Sequence, residues 1–228
     1  MANRLVVVGA GHAAGQLVES ARKEGWQDEI LLLGEEPYLP YQRPPLSKKF
    51  LAGELALERT YFRPEQVYEK REIDVRLNTR VEKIHCKEKS VETAQGERIE
   101  YQALALTTGS RVRKVPIPGI DLPGVHYLRT VDDVLRIRDE LKEDTRVVIV
   151  GGGYIGLEVA AVLRTRGHSV TVLEMADRVM ARVVAPALSE FYERHHRAHG
   201  VNIVTGTAVT EIVGGDAVEG VCCDEEVH

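Results

Sequence analysis

Two segments of the chain share one pattern of hydrophobic and polar positions. The first is LVVVGAGHAAGQLVESARKEGWQDEILLLGEE, and the second is RVVIVGGGYIGLEVAAVLRTRGHSVTVLE. In each, an apolar run leads into closely spaced glycines, then into apolar positions three or four apart, and then into a second apolar run. Continuous runs are typical of strands buried in a parallel sheet, and the wider spacing is typical of an amphipathic helix. The sequence therefore predicts two strand–helix–strand modules, Leu5 to Glu35 and Arg146 to Glu174.

Each module carries a small-residue motif at its first turn. The motifs are G-x-G-x-x-A and G-x-G-x-x-G, formed by Gly9, Gly11 and Ala14 and by Gly151, Gly153 and Gly156. The first glycine makes a tight turn, the second lets the backbone approach a pyrophosphate, and the third small residue packs helix on strand. The helix N-terminus then faces the phosphate charge. One such motif is weak evidence, but two complete modules predict two bound dinucleotides, or one dinucleotide bound twice.

An acidic residue closes each module. Glu35 and Glu174 follow the second strands, where a carboxylate can accept hydrogen bonds from ribose hydroxyls. Glu174 favours NAD over NADP, because a carboxylate repels a 2′-phosphate. Arg178, four residues on, leaves that preference open.

Short strand-like runs lie between the modules. IDVRL, TRVEKIHC, KSVETA and ERIEYQ predict a small antiparallel meander, and ALALTTGS (103–110) predicts a buried strand. Pro64 fits the first position of a short helix, and the proline-rich run 115–124 predicts a stiff crossover. Thr130 is placed to cap a helix from Val131 to Lys142. A helix over 187–198 and a hairpin turning at Gly215-Asp216 follow. We predict domains over residues 1–112 and 113–228.

Composition narrows the function classes. The formal net charge of −5 argues against nucleic-acid binding, and no apolar run approaches the roughly 20 residues of a membrane span. The N-terminus lacks a signal-peptide pattern, and three cysteines, Cys86, Cys222 and Cys223, form no C-x-x-C pair. These features predict a cytoplasmic protein. His195, His196 and His199 form H-H-x-x-H, but no glutamate follows the first histidine, so we predict no metal site.

One further stretch makes the assignment specific. Pro40-Tyr41-Gln42-Arg43-Pro44-Pro45-Leu46-Ser47-Lys48 is rigid and basic. Together with Gly9–Ala14, Gly34-Glu35, Thr108–Ser110 and Gly151–Glu158, it resembles the flavin- and NADH-dependent ferredoxin and rubredoxin reductases of oxygenase systems. These form a branch of the pyridine nucleotide-disulfide oxidoreductase superfamily. Disulfide reductases of that superfamily place a redox cysteine near this stretch, and here it contains none. The resemblance implies an α/β fold with two Rossmann-like, glutathione-reductase-like domains.

The resemblance also implies a set of site residues. Lys48 would lie near the flavin N5 and O4, where a fixed cation stabilises the reduced ring. Glu158 would contact the nicotinamide side of NADH and pair with Lys48 when NADH is absent; the alternative is a first-turn acid favoured by the helix dipole. Val81 fits a backbone contact or meander packing equally, and Tyr154 fits a gate or packing on the sheet. The residues implied for FAD are Gly9, Gly11, His12, Ala13, Ala14, Glu35, Arg43, Pro44, Lys48, Val81, Thr108, Gly109 and Arg129. Those implied for NAD(H) are Gly151, Gly153, Tyr154, Ile155, Gly156, Glu158 and Glu174.

The implied reaction is hydride transfer from NADH to FAD, followed by single-electron transfer to a ferredoxin or rubredoxin. Alternatives are an NADH oxidase or quinone-type reductase of the same superfamily, and a non-catalytic dinucleotide-binding fragment. The superfamily carries a second flavin motif ending in Gly-Asp, whereas Gly215-Asp216 here fits a hairpin turn. We therefore expect the last NAD-domain strand, the second FAD segment and the C-terminal domain to be absent. Exposed sheet edges would then favour self-association.

Overall fold

The computed structural model describes residues 3–223 and 226–227. The chain divides into two compact units: Met1–Arg43 with Ala56–Arg111, and Pro44–Leu55 with Val112–His228. The chain therefore passes between the units three times. The segment Pro44–Leu55 follows the first module in sequence but belongs to the second compact unit.

The first unit is built on a parallel sheet of four strands in the order β3-β2-β1-β7. Its elements are β1 (Arg4–Val8), α1 (His12–Lys23), β2 (Glu29–Leu33), a 3₁₀ helix (Leu57–Thr60), α2 (Glu65–Lys70), β3 (Ile73–Arg76), β4 (Val81–His85), β5 (Ser90–Thr93), β6 (Arg98–Glu100) and β7 (Ala103–Leu106). The predicted strand–helix–strand module is confirmed. Leu5–Val8 and Ile30–Leu33 are buried throughout, because the sheet is covered on both faces.

Different layers cover the two faces of this sheet. On one face Val7 and Ile30 pack with Val18 of α1 and Tyr68 of α2. On the other face Val6 and Leu31 pack with side chains of β5 and β6. The predicted antiparallel meander therefore exists, in the order β4-β5-β6, and it forms the second covering layer.

Three predictions for the first unit need correction. The run IDVRL does not join the meander: it forms β3, which pairs in parallel with β2. Pro64 precedes α2 as its N-cap rather than as its first helical residue. The predicted buried strand is β7, but its residues are half-buried and Leu106 is 57% exposed, because β7 lies at the edge of the sheet.

The second unit repeats the helix–sheet arrangement. Its elements are a 3₁₀ helix (Pro44–Ser47), α3 (Val131–Glu140), β8 (Arg146–Val150), α4 (Tyr154–Thr165), β9 (Ser169–Glu174), α5 (Pro186–Ala198), β10 (Asn202–Thr205), β11 (Val209–Gly214), β12 (Val218–Cys223) and β13 (Glu226–Val227). The parallel sheet has the order β10-β9-β8, and an antiparallel sheet has the order β11-β12-β13. Leu173 of β9 packs against Val221 and Cys223 of the antiparallel sheet.

Local sequence signals fix two features of this unit. Thr130 and Asp133 form a reciprocal capping box, so α3 begins where the sequence predicts, although it ends two residues earlier. The Gly215-Asp216 turn joins β11 and β12 as the predicted hairpin. This hairpin is bonded to the crossover, since Ile212 N donates to Pro118 O at 3.0 Å and Val218 N to Pro123 O at 2.8 Å.

The two parallel sheets differ at one edge. In the first unit β7 pairs with β1, whereas in the second no described strand pairs with the corresponding side of β8. The middle of β8 is accordingly half-buried, and Val150 is exposed. Among the described residues, no helix combines the length and the apolar character that crossing a membrane requires.

Candidate functional site

The first glycine turn depends on the absence of a side chain at Gly9. Gly9 has φ +101°, and a Cβ there would lie 2.6 Å from the carbonyl oxygen of Thr107. The Thr107 hydroxyl donates to the carbonyl oxygens of Val8 and Gly9, at 3.1 and 2.8 Å. Thr107, the residue after β7, therefore holds the turn in place. Sequence reasoning selected the neighbouring Thr108 and missed Thr107, whose contact lies about 100 residues away.

Room for a phosphate group lies at the start of α1. Gly11 is the N-cap, no described side chain caps the helix, and a Cβ on Gly11 would meet no described atom within 4 Å. Ala14 is fully buried, as expected for the small residue that packs helix on strand. His12 and Ala13 are exposed in the first helical turn. The turn therefore fits a pyrophosphate, which a helix N-terminus stabilises through its exposed N–H groups and dipole.

Two neighbouring acids follow β2, and each has a basic partner. Glu35, the predicted ribose acceptor, forms an exposed ion pair with Arg80. Glu36 accepts hydrogen bonds from the Tyr41 hydroxyl at 2.6 Å and from Arg43 Nη2 at 3.0 Å. Arg43, predicted to reach the cofactor, is thus bonded to Glu36.

The remaining predicted FAD residues fall in both units. In the first, Val81 begins β4 and is half-buried, and Thr108 and Gly109 follow β7, with Gly109 at φ +67°. Pro44, Lys48 and Arg129 belong to the second unit. The Arg129 backbone N–H donates to Asp133 Oδ2 at 2.9 Å, next to the capping box of α3.

The second glycine turn is built like the first, and it leaves even less room for an added side chain. Gly151 has φ +110°, and a Cβ on Gly156 would lie 2.1 Å from the Gly151 carbonyl oxygen. Gly153 is the N-cap of α4; in the part of the chain that the structure describes, no side chain caps that helix and no atom lies within 4 Å of a Cβ placed on Gly153. This turn also leaves room for a pyrophosphate at a helix N-terminus.

Glu174 is bonded to the glycine turn that precedes it in sequence. Its Oε2 accepts from the Gly152 backbone N–H at 2.7 Å, and its Oε1 accepts from the Ala176 N–H at 2.8 Å. The carboxylate therefore lies at the rim of the predicted nucleotide site. A charged acceptor at this position suits ribose hydroxyls and disfavours a phosphate.

Arg178 is not placed to serve as a free cation for a 2′-phosphate. Its guanidinium donates to Val184 O at 3.0 Å, to Ala181 O at 2.8 Å and to Ser189 Oγ at 2.7 Å. Arg178 thus stabilises the loop after β9. Sequence reasoning left its role open because these acceptors are loop carbonyls and a serine hydroxyl.

Ser47 and Lys48, at the end of the stretch Pro40–Lys48, both contact one carboxylate oxygen of α4. The Ser47 hydroxyl donates to Glu158 Oε2 at 2.6 Å, and Lys48 Nζ lies 2.7 Å from the same atom. The Lys48–Glu158 pair implied by the resemblance is therefore present. Glu158 is the fifth residue of α4, beyond its first turn, so the alternative of a first-turn acid is wrong. Sequence reasoning missed Ser47.

Exposed apolar side chains surround the second turn. Tyr154 and Ile155 open α4, Val150 ends β8, and Met175 follows Glu174; all four are more than half exposed. Apolar side chains of this kind suit the flat faces of a bound base or nicotinamide.

His195 and His196 of α5 and His199, the residue that follows this helix, form a cluster at the C-terminal end of α5. The His195 and His199 rings lie 4.5 Å apart between centroids. Burial, reinforced by the neighbouring His195 and His199, lowers the pKa of His196 below its ordinary value. Within residues 3–223 and 226–227, no group of three or more His, Cys, Asp or Glu side chains is arranged to hold a metal ion.

Comparison with known proteins places this geometry in a family. The family model for pyridine nucleotide-disulphide oxidoreductases matches residues 3–227. A ferredoxin–NAD(P)+ reductase of Sphingomonas sp is 42% identical over 212 residues, 93% of this chain and 51% of the relative. A rubredoxin–NAD+ reductase of Pseudomonas putida is 41% identical over 210 residues, 92% of this chain and 54% of the relative.

A solved structure extends the likeness to three dimensions. The reductase in the covalent putidaredoxin reductase–putidaredoxin complex superposes with a TM-score of 0.92 at 38% identity, covering 98% of this chain and 55% of that one. The chain spans about half the length of the curated relatives it matches. The predicted α/β fold is confirmed, and the chain belongs to the pyridine nucleotide-disulphide oxidoreductase family.

Proposed function

We propose that this chain is the nucleotide-binding part of an NADH-dependent ferredoxin or rubredoxin reductase. Such an enzyme passes a hydride from NADH to FAD and then single electrons to the acceptor of an oxygenase system. The observation that carries the proposal is the Lys48–Glu158 ion pair at 2.7 Å. It joins the stretch most specific to these reductases to the helix that opens at the second glycine turn.

The residues have distinct tasks in this proposal. The turn at Gly9 and Gly11 holds the FAD pyrophosphate, and the turn at Gly151 and Gly153 holds that of NADH. Glu174 accepts hydrogen bonds from the adenosine ribose of NADH. When bound, the flavin accepts two electrons as a hydride and releases them one at a time. Lys48 supplies a preorganised positive charge for the reduced flavin, and such a charge lowers the barrier when water is excluded.

The preference for NADH over NADPH rests on two observations. Glu174 presents a carboxylate beside the second glycine turn, and both its oxygens accept hydrogen bonds from backbone N–H groups. Arg178, the nearby cation, donates all of its described hydrogen bonds to its own loop and to Ser189. Neither group offers a 2′-phosphate a favourable partner.

The acceptor is inferred from the names of the relatives. They are a ferredoxin reductase, a rubredoxin reductase and a reductase bound to putidaredoxin. An iron–sulfur ferredoxin or a rubredoxin is therefore the proposed partner. We place the protein in the cytoplasm, in keeping with its three free cysteines. The edge of β8 with which no described strand pairs supports self-association as a further proposal.

An absorbance spectrum of the purified 228-residue chain with added FAD tests the proposal. A yellow protein that retains FAD through gel filtration and is bleached by NADH supports the reductase. A colourless protein that still binds NADH supports the non-catalytic dinucleotide-binding protein instead. If bleaching occurs, turnover is then compared with ferredoxin, rubredoxin, oxygen and a quinone, and preference for oxygen or the quinone favours the oxidase or quinone-type reductase.

A further inference from the structure

We infer that Ser47 is a positioning residue for NADH binding, which it supports by holding the carboxylate of Glu158 in place. The inference rests on the proposed function and assigns a role within the same site. Ser47 donates its hydroxyl hydrogen to Glu158 Oε2 at 2.6 Å. Neither this contact nor that of Lys48 uses Oε1, so one carboxylate oxygen stays available to a ligand donor such as the nicotinamide carboxamide.

The backbone holds Ser47 firmly. It ends the 3₁₀ helix Pro44–Ser47, and the Pro45 carbonyl oxygen accepts from both Lys48 N and Phe50 N at 3.0 Å. Arg166 Nη1 donates to Leu51 O at 3.1 Å, which ties the same segment to the residue that follows α4. Two contacts eight residues apart therefore hold the segment along α4.

Ser47 and Lys48 differ in how freely they can leave Glu158. Ser47 is 4% exposed and has a single side-chain torsion to its oxygen, whereas the Lys48 side chain is 47% exposed on a flexible four-carbon stem. Lys48 Nζ also has a second partner, the Pro44 carbonyl oxygen at 3.2 Å. Lys48 can thus turn from Glu158 toward another charge, while Ser47 keeps the carboxylate in one position.

Because Ser47 and Lys48 differ in this way, substitutions at the two residues should impair different steps. Ser47→Ala should weaken NADH binding, because Glu158 then loses its fixed donor. Lys48→Met should leave NADH affinity nearly unchanged and slow the chemistry instead. A purely structural role for Ser47 would not produce an effect that depends on Glu158.

The test is a double-mutant cycle on the whole 228-residue chain, with NADH fluorescence titration as the readout. We expect Ser47→Ala to raise the NADH dissociation constant about fivefold, and Ser47→Thr, which keeps the hydroxyl, to stay within about twofold of the parent. In a Glu158→Ala background, which removes the acceptor, Ser47→Ala should add less than about twofold. Ser90→Ala, which also removes the hydroxyl of a serine that is 4% exposed, controls for loss of a buried hydroxyl in general.

The outcomes are separable. Losses that multiply in the Ser47→Ala/Glu158→Ala double variant would overturn this inference alone, as would an affinity loss in Ser90→Ala equal to that in Ser47→Ala. Failure of the parent chain to bind NADH would overturn the proposed function, and this inference with it. Melting temperatures of all variants identify any that has lost its fold. If Ser47→Ala is one of them, the NADH affinity of Ser47→Thr tests the inference instead.

Discussion

The backbone nitrogen of Gly152 lies 2.7 Å from Oε2 of Glu174, so the acid that ends β9 is bonded to the turn that ends β8. Glu174 therefore has two roles in the proposed site. It presents charge to the ribose, and it holds the middle glycine of the phosphate-binding turn. A substitution there changes specificity and local stability together.

We predict that Glu174→Arg weakens NADH use and improves NADPH use. Arginine removes the ribose acceptor and supplies a cation for the 2′-phosphate. The ratio of NADH to NADPH affinity should fall by at least about tenfold, because NADH loses a charge-assisted hydrogen bond and NADPH exchanges a repulsion for an attraction. Binding titrations with both nucleotides measure it.

Glu174→Gln serves as the matched control, because it retains an acceptor oxygen without the charge. It should lower NADH affinity, and it should improve NADPH binding less than Glu174→Arg does, because it removes the repulsion without supplying a cation. An unchanged preference in Glu174→Arg would show that Glu174 does not read the ribose.

Lys48→Met should slow flavin reduction by NADH. Losing one preorganised charge is expected to cost on the order of 2–3 kcal/mol of transition-state stabilisation. Stopped-flow absorbance at saturating NADH, on flavin-loaded protein, is the measurement. Lys49→Met, the adjacent exposed lysine, is the control. A reduction rate within twofold of the parent would make Lys48 an ordinary surface cation.

Alanine substitutions at two glycines of the second turn should have different effects on stability and on NADH binding. In Gly156→Ala the new Cβ would lie 2.1 Å from a backbone oxygen, so the turn must distort and the melting temperature should fall by several degrees. In Gly153→Ala the new Cβ meets open space, and the loss of stability should stay near 1 kcal/mol.

Gly153→Ala should nevertheless reduce NADH affinity at least tenfold, because its methyl group occupies the space through which the backbone approaches the pyrophosphate. Thermal unfolding and NADH titration of both variants separate the two effects. Normal NADH affinity in Gly153→Ala would place the phosphate elsewhere.

Tyr68→Phe should stabilise the first unit. The Tyr68 hydroxyl is buried in the described structure without a hydrogen-bond partner, which is unfavourable, so its removal should raise the free energy of unfolding by about 1 kcal/mol at pH 7. Burial raises the pKa of Tyr68 to about 12, with Arg63 opposing and Glu19 adding to the shift.

The pKa of Tyr68 also gives this variant a pH signature. The folded pKa lies above the unfolded value near 10. Between about pH 10 and pH 12 the hydroxyl therefore ionises in the unfolded chain but not in the folded one, and the free energy of unfolding of the parent falls as pH rises. The advantage of Tyr68→Phe over the parent should therefore grow across this range in urea unfolding. Tyr192→Phe, at a half-buried tyrosine, is the control. An advantage independent of pH would contradict the assignment.

Features set by near neighbours were predictable from the sequence. The Thr130–Asp133 capping box and the glycine turns depend on residues a few positions apart, and each occurs where predicted. The two modules were predicted for the same reason, since alternating strand and helix periodicities are local.

Features set by distant partners were not predictable in the same way. The run IDVRL has strand composition, but only the surroundings decide whether a short strand joins a meander or a parallel sheet, and it pairs with β2. No local pattern reveals the partners of Ser47 and Arg80, because these partners lie 111 and 45 residues away. A pattern shows which bonds a side chain can make, and the fold selects among them.

The grouping of Pro44–Leu55 with the second unit has a consequence for biosynthesis. At about 5–20 residues per second, the ribosome takes roughly 5–20 s to add the 111 residues that separate Ser47 from Glu158. Throughout that interval the segment has been made, but Glu158 and Arg166, to which Ser47 and the Leu51 carbonyl oxygen are bonded, have not. A nascent chain stalled before residue 154 should therefore expose Pro44–Leu55 to proteases and chaperones, and a chain released after residue 166 should protect it.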